Sequence, residues 1–149
     1  MSDVLFYHLE RQPLDAVLPA MLEKCLERGW RVVVECGSPE RVDSLDAWLW
    51  TYREGAFLPH GTAREVNAAE HPVVLASETV NPNGANVRFA VDGAPLGLAA
   101  PFDRVVLIFD GNDDESLDRV RADWRRARAE GHTVTYWQQT ESGRWEKKA

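Results

Sequence analysis

The sequence has little cysteine, no excess of positive charge and no long apolar run, and each shortage removes a class of function. Of 149 residues only Cys25 and Cys36 are cysteines, and they form no CxxC pair and no cluster with histidine. Neither a disulfide framework nor a zinc site is indicated, and two isolated thiols fit a reducing compartment and inert buried positions. The formal net charge is −7. Holding nucleic acid by counterion release needs a cationic surface, so any such surface here is local and contact with nucleic acid is expected to be mainly indirect. No apolar stretch approaches the ~20 residues of a membrane span. The opening Met1-Ser2-Asp3 lacks the basic and apolar regions of a secretory signal. The chain reads as soluble and cytoplasmic, with no membrane contact.

What is present suits one folded unit. A chain of this length can bury a core of its own, so a single domain over residues 1–149 is expected. Residues 4–9 predict a strand. Pro13 suits the first turn of a helix carrying Val17, Leu18, Met21, Leu22, Cys25 and Leu26 at helical spacing, stopped by Gly29 and bent near Pro19. Val32-Val33-Val34 reads as a strand covered on both faces. Ser38-Pro39 opens a second helix with an apolar stripe of Val42, Leu45, Leu49 and Tyr52. Trp48 and Trp50 cannot both join that stripe, so one lies on its flank. Residues 53–72 read as loop, and 72–76 and 87–91 as strands on either side of the Asn81-Pro82-Asn83-Gly84 turn. Residues 104–109 are the clearest buried strand. Ser116 is placed to cap a third helix ended by Gly131, 133–137 form a last strand, and 138–149 read as a polar C-terminal tail. This alternation predicts an α/β layered fold with a mostly parallel central sheet flanked by helices.

Such a Rossmann-like layering invites a nucleotide, but the fingerprint is missing. There is no G-x-x-x-x-G-K-[ST] and no G-x-G-x-x-G, and the first strand runs into Glu10-Arg11-Gln12-Pro13 without a glycine. One enzymatic alternative uses the acidic turn Asp110-Gly111-Asn112-Asp113-Asp114-Glu115, whose carboxylates could hold Mg²⁺ beyond a strand end. It departs from the EF-hand spacing, and acids before a helix also complement its dipole. His8, His60, His71 and His132 are scattered without i, i+4 pairing, and no G-x-S-x-G occurs. No catalytic residue, metal or cofactor is expected.

Residues 116–130, SLDRVRADWRRARAE, carry a different signal. Leu117, Val120, Trp124 and Ala127 make a sheet-facing stripe, and Arg121, Arg125 and Arg128 line its edge at i, i+4 and i+7. Arg119 and Arg126 point to the opposite side. A row of guanidiniums beside a Trp suits an acidic, partly apolar peptide, because arginine takes carboxylates bidentately. The same spacing also serves a solvated basic face with Trp124 in the core, and spacing alone does not choose.

Several segments in order resemble the chi-subunit family of bacterial DNA polymerase III. They are Phe6-Tyr7, Gly29 with Arg31-Val32-Val33, Leu45-Asp46 with Leu49-Trp50, and Phe57-Leu58-Pro59-His60. The series closes with Arg121-x-x-Trp124-Arg125 leading to Gly131-His132-x-Val134-x-Tyr136-Trp137-Gln138-Gln139. The resemblance implies a non-catalytic accessory subunit of the replicative holoenzyme. It implies a site for the acidic C-terminal tail of single-stranded DNA-binding protein on Arg121, Trp124, Arg125 and Arg128. One family pattern has a basic residue near the start of this helix, where this chain offers Asp118 or Arg119. A second implied surface, at Trp50, Phe57 and Pro59, would join the psi subunit and through it the clamp loader. Chi-like proteins also resemble binders of a repair helicase through that surface.

Overall fold

The computed structural model describes residues 2–97, 99 and 101–149. In chain order the elements are β1 (Asp3–Leu9), α1 (Leu14–Glu27), β2 (Val32–Glu35), α2 (Pro39–Thr51) and β3 (Gly61–Thr62). After a 3-10 turn at Ala68–Glu70 come β4 (Val73–Ala76), β5 (Val87–Ala90) and β6 (Arg104–Asp110). Then follow α3 (Asp114–Ala129), β7 (Thr133–Gln139) and β8 (Trp145–Lys147). The strands form one sheet in the order β3-β4-β2-β5-β6-β1-β7-β8, parallel throughout except for the antiparallel β7–β8 pair. The layered α/β reading holds.

Strand order explains how the helices are distributed. The chain leaves β1 across β6 and β5 to reach β2, but leaves β6 across β1 in the other direction to reach β7. Right-handed crossovers running in opposite directions place their helices on opposite faces. One core accordingly joins Leu18 and Leu22 of α1 and Leu45 and Leu49 of α2 to Val32, Val34, Val106 and Ile108. The other joins Val120 and Ala127 of α3 to Val4, Phe6, Val105 and Leu107. Alternate residues of β1 and β6 thus serve two different cores.

A buried ion pair fastens the long β4–β6 region to the sheet. Arg88 of β5 is 1% exposed, and its Nη2 lies 3.0 Å from Glu35 Oε1 of β2. Its remaining donors reach the carbonyls of Pro95 and Leu96, and the Thr79 hydroxyl donates to the same Glu35 oxygen at 2.9 Å. Buried charges persist where partners fill their bonding capacity, and these partners come from the segment for which periodicity gave little.

Several boundaries differ from the expectation. Pro13 is the cap rather than part of the first turn of α1, whereas Gly29 ends that helix as expected, turning with φ +77° after the Arg28 cap. Asp113, not Ser116, caps α3: its carboxylate accepts from Glu115 N at 3.1 Å and from the Ser116 hydroxyl at 3.0 Å. An aspartate three residues earlier reaches the free amides first, which draws Asp114 and Glu115 into the helix. The stretch 53–72 contains β3 and a 3-10 turn. Within the polar tail of residues 138–149, Gln138 and Gln139 extend β7, and Trp145–Lys147 fold back on it. Trp48 packs against the first core and donates to Asp15 O at 2.8 Å, which leaves Trp50 as the flanking residue. Among the described residues no helix is long and apolar enough to cross a membrane.

Candidate functional site

Helix α3 sorts its residues by depth. Val120 and Ala127 are buried, Leu117 and Trp124 are half-buried against the sheet, and Arg121, Arg125 and Arg128 are exposed along one edge. Trp124 meets Phe6 edge-on at 5.5 Å and Tyr136 at 6.0 Å, which fixes its plane. The Arg128 guanidinium lies 5.9 Å from the Trp124 centroid, within cation–π range. Arg121 is 3.2 Å from Asp118, a solvent-exposed pair that contributes little. Among the described residues Arg125 and Arg128 have no carboxylate partner. The four residues named from the sequence are therefore brought together on one edge, with charge left unspent.

Residues that helical spacing could not reveal complete the surface. Val134 and Tyr136 of β7 pack beside Trp124, and the Tyr136 hydroxyl meets His8 Nδ1 at 2.5 Å. Burial pushes the Tyr136 phenol up and Glu10 adds to this, while Arg121 pulls it down. Burial pushes the His8 imidazole down, opposed by Glu10 and Asp110. Lys148 donates its amide to Tyr136 O at 2.8 Å, so the C-terminal hairpin borders the same edge. Strand alternation could have paired Val134 with Tyr136, but which face they share depends on the β1–β7 register. At the helix start, the residue adjoining Arg121 is Asp118. Arg119 and Arg126 face away, Arg119 toward Ser116 and Arg126 onto Gly97 O at 2.8 Å.

The second surface lies at the far end of α2. Trp50 is 51% and Phe57 73% exposed, with their rings 6.2 Å apart, and Pro59 is half-buried beside them. These aromatics do not fill a satellite core. Beneath Trp50, at 4.4 Å, lies the buried His60 ring. Its Nδ1 is 2.7 Å from Leu58 O, and its Nε2 is 3.1 Å from both Asp46 O and Asp46 Oδ1. The histidine thus ties the 57–60 loop to α2 and provides a firm base for the indole. In the sequence His60 stands out only as the end of the Phe57-Leu58-Pro59-His60 segment and as one of four scattered histidines, with no sign of this supporting role.

The acidic turn is built for capping. Asp113 holds the start of α3, and Asp110 Oδ1 accepts from Asn112 N at 2.9 Å. Gly111 packs so closely on His8 that a Cβ there would overlap the ring. Next to the turn, a cleft of about 810 Å³ opens over the carboxyl ends of β1 and β6. Its walls mix signs, with Glu10, Asp92 and Asp123 facing Arg11, Arg41 and Arg119. Arg41 is already engaged by Asp15 and Asp92. Among the described residues no group of three or more His, Cys, Asp or Glu is arranged to hold a metal ion.

Known proteins resemble this chain over most of its length. The profile of the family described as "DNA polymerase III chi subunit, HolC" matches residues 1–135. The chain is 23% identical over 109 residues to the "Probable DNA polymerase III subunit chi" of Rickettsia prowazekii, covering 73% of this chain and 66% of that protein. It is 38% identical over 55 residues to the "DNA polymerase III subunit chi" of Pseudomonas aeruginosa, covering 37% of each. The chain thus spans just under two thirds of the first relative and little more than a third of the second. The family match includes α3 and the Trp50–Pro59 region and stops short of Tyr136 and the C-terminal hairpin.

Proposed function

We propose, proceeding from the fact that the chain belongs to the DNA polymerase III chi subunit family, that it is a non-catalytic adaptor of the cytoplasmic replication machinery. Its α3 edge takes the acidic C-terminal tail of single-stranded DNA-binding protein. Its Trp50–Phe57–Pro59 surface takes the psi subunit, which links it to the clamp loader. The observation that carries the first assignment is the row of exposed arginines beside Trp124, two of them without a carboxylate partner among the described residues. A peptide ending in an apolar side chain and a free carboxylate meets its needs there: a guanidinium for the carboxylate and a half-buried indole for the side chain.

The decisive experiment is a titration with a short acidic peptide ending in Pro-Phe, as free acid and as amide. The free acid is expected to bind more tightly, and its affinity should fall as salt rises, because exposed charges are screened. Combined charge reversal of Arg121, Arg125 and Arg128 should abolish binding without lowering the melting temperature. Unchanged affinity in that variant overturns the site. A repair helicase is a second occupant for the Trp50 surface, since its solvent-facing aromatics would serve either partner. Competition between psi and helicase for the chain tests that sharing directly.

A further inference from the structure

Helix α1 runs from β1 toward β2, away from β7, while α3 covers β1 and β7 on the other face. The side of β7 and β8 turned away from α3 therefore has no helix over it among the described residues. Register determines what stands there. Leu5 pairs with Thr135 and Tyr7 with Trp137 across β1–β7, and Trp137 pairs with Lys147 and Gln139 with Trp145 across the hairpin. Paired residues share a face, so Tyr7, Thr135, Trp137, Trp145 and Lys147 form one surface.

This surface is aromatic and only half-buried. Tyr7 and Trp137 stack with centroids 5.9 Å apart and planes at 14°, and Trp145 meets Tyr7 edge-on at 4.9 Å. Tyr7 and Trp145 lean on the α1–α2 core, but Trp137 joins neither core, and its indole N–H donates to Thr135 Oγ1 at 3.0 Å. Cations border the rings. Lys147 is exposed on β8, and Arg28 and Arg104 stand over Trp30 at 5.0 and 4.9 Å. Arg104 stands in register with Asp3 on the strand that carries Tyr7, and both arginines lower the Tyr7 phenol against the burial that raises it. Asp3 approaches Arg104 at 3.8 Å.

We infer that this open sheet face is a stacking platform for single-stranded nucleic acid. Bases stack on Trp137 and Trp145, and phosphates are met by Lys147, Arg28 and Arg104. Half-buried strand aromatics edged by cations suit this ligand because every base offers a π-face and every nucleotide a negative charge. The bordering cations are what favour a polyanion over an apolar protein segment. The surface is on the opposite side of the sheet from the α3 arginines, and Trp137, Trp145 and Lys147 lie beyond residue 135, where the family match ends. Binding here is independent of the adaptor role, and both faces can be occupied at once.

The test is fluorescence anisotropy of a labelled oligothymidylate titrated with the full chain at low salt, with a duplex of equal length as control. Single strands are expected to bind better than duplex, and binding should weaken steeply with salt. Trp137→Ala should lower affinity about tenfold, and Lys147→Glu and Arg28→Glu by smaller factors. The two charge variants alter exposed side chains, so they keep the test decisive if Trp137→Ala proves unstable. Charge reversal at Arg121, Arg125 and Arg128 should leave this binding in place while removing the acidic peptide. The proposal is overturned by absent binding at low salt, by indifference to all three variants of the face, or by loss on reversal of the α3 arginines. It is equally overturned if Trp137→Ala abolishes a concentration-dependent dimer of a chain that binds no oligonucleotide.

Discussion

The α3 edge and the Trp50 surface lie in one small protein yet are assembled in different ways. The α3 edge is a row of long cationic side chains on one helix, with a half-buried indole and the adjoining Val134 and Tyr136 of β7 as its apolar component. The Trp50 surface is apolar and stands on a buried histidine that joins a loop to a helix. A helix with exposed arginines can change partner strength with little effect on folding, since the charges rest on an element that packs through other residues. A loop-built aromatic patch cannot be separated so cleanly from stability. The first should respond to salt and the second to truncation.

The largest expected effect tests the apolar surface. Replacing Trp50 and Phe57 together by alanine should cost about 3–4 kcal/mol of psi binding, within the range of interface hot spots. Calorimetric titration should show that loss nearly unchanged between low and moderate salt. A salt-sensitive loss would erase the contrast with α3.

Next in size is His60→Ala. Removing a buried ring and stranding the groups it bonds should lower stability by about 2–3 kcal/mol. Denaturant melts should show this, with psi binding weakened and acidic-peptide binding retained. The opposite pattern would mean that His60 does not organise the Trp50 surface.

Arg125→Ala should weaken the acidic peptide by about 1.5 kcal/mol, the scale of one charge-assisted hydrogen bond. The melting temperature should not move. An effect of equal size on psi binding would show that the two surfaces are coupled.

A pH series separates the regions further. Burial holds the His8 imidazole below its ordinary value, so the unfolded chain binds that proton more readily. Its contribution to stability is present above the unfolded value near 6.5 and is lost as pH falls through and below it. Denaturant melts of the wild type should therefore weaken more steeply on acidification than those of His8→Gln. Because His8 supports Tyr136 beneath α3, peptide binding should follow the same trend. Smallest of all, nucleotide with Mg²⁺ is expected to give no thermal shift, since Asp113 of the acidic turn is committed to capping. A clear upward shift would revive the enzymatic alternative and direct attention to the cleft.

Much of the fold was legible because it repeats locally. Val32-Val33-Val34 and 104–109 announced buried strands, and the stripe Val42, Leu45, Leu49 faces the core as spacing required. The arginine edge was legible for the same reason, as a period of 3.6 in charge. Asp113 displaced Ser116 as the cap because both are competent and the earlier residue reaches the free amides first. The hairpin at 139–145 was missed because Glu141-Ser142-Gly143 reads equally well as a tail until Trp145 has a stack to join. Trp48 and Trp50 differ by two positions and are equally apolar. Only the approach of α1, which offers Asp15 O to Trp48, draws one half-buried against the core and leaves the other in solvent.

By itself the sequence determined the alternation of strands and helices, the parallel layering it implies and the arginine row on α3, since these follow from periodicities within single elements. Tertiary structure decided the β3-β4-β2-β5-β6-β1-β7-β8 order, the seating of His60 under Trp50, the pairing of Tyr136 with Trp124 and the open aromatic face of β7 and β8. Each of these joins residues far apart in the chain. Their meeting depends on which strand lies beside which and on the direction each crossover takes, and no local pattern carries that information.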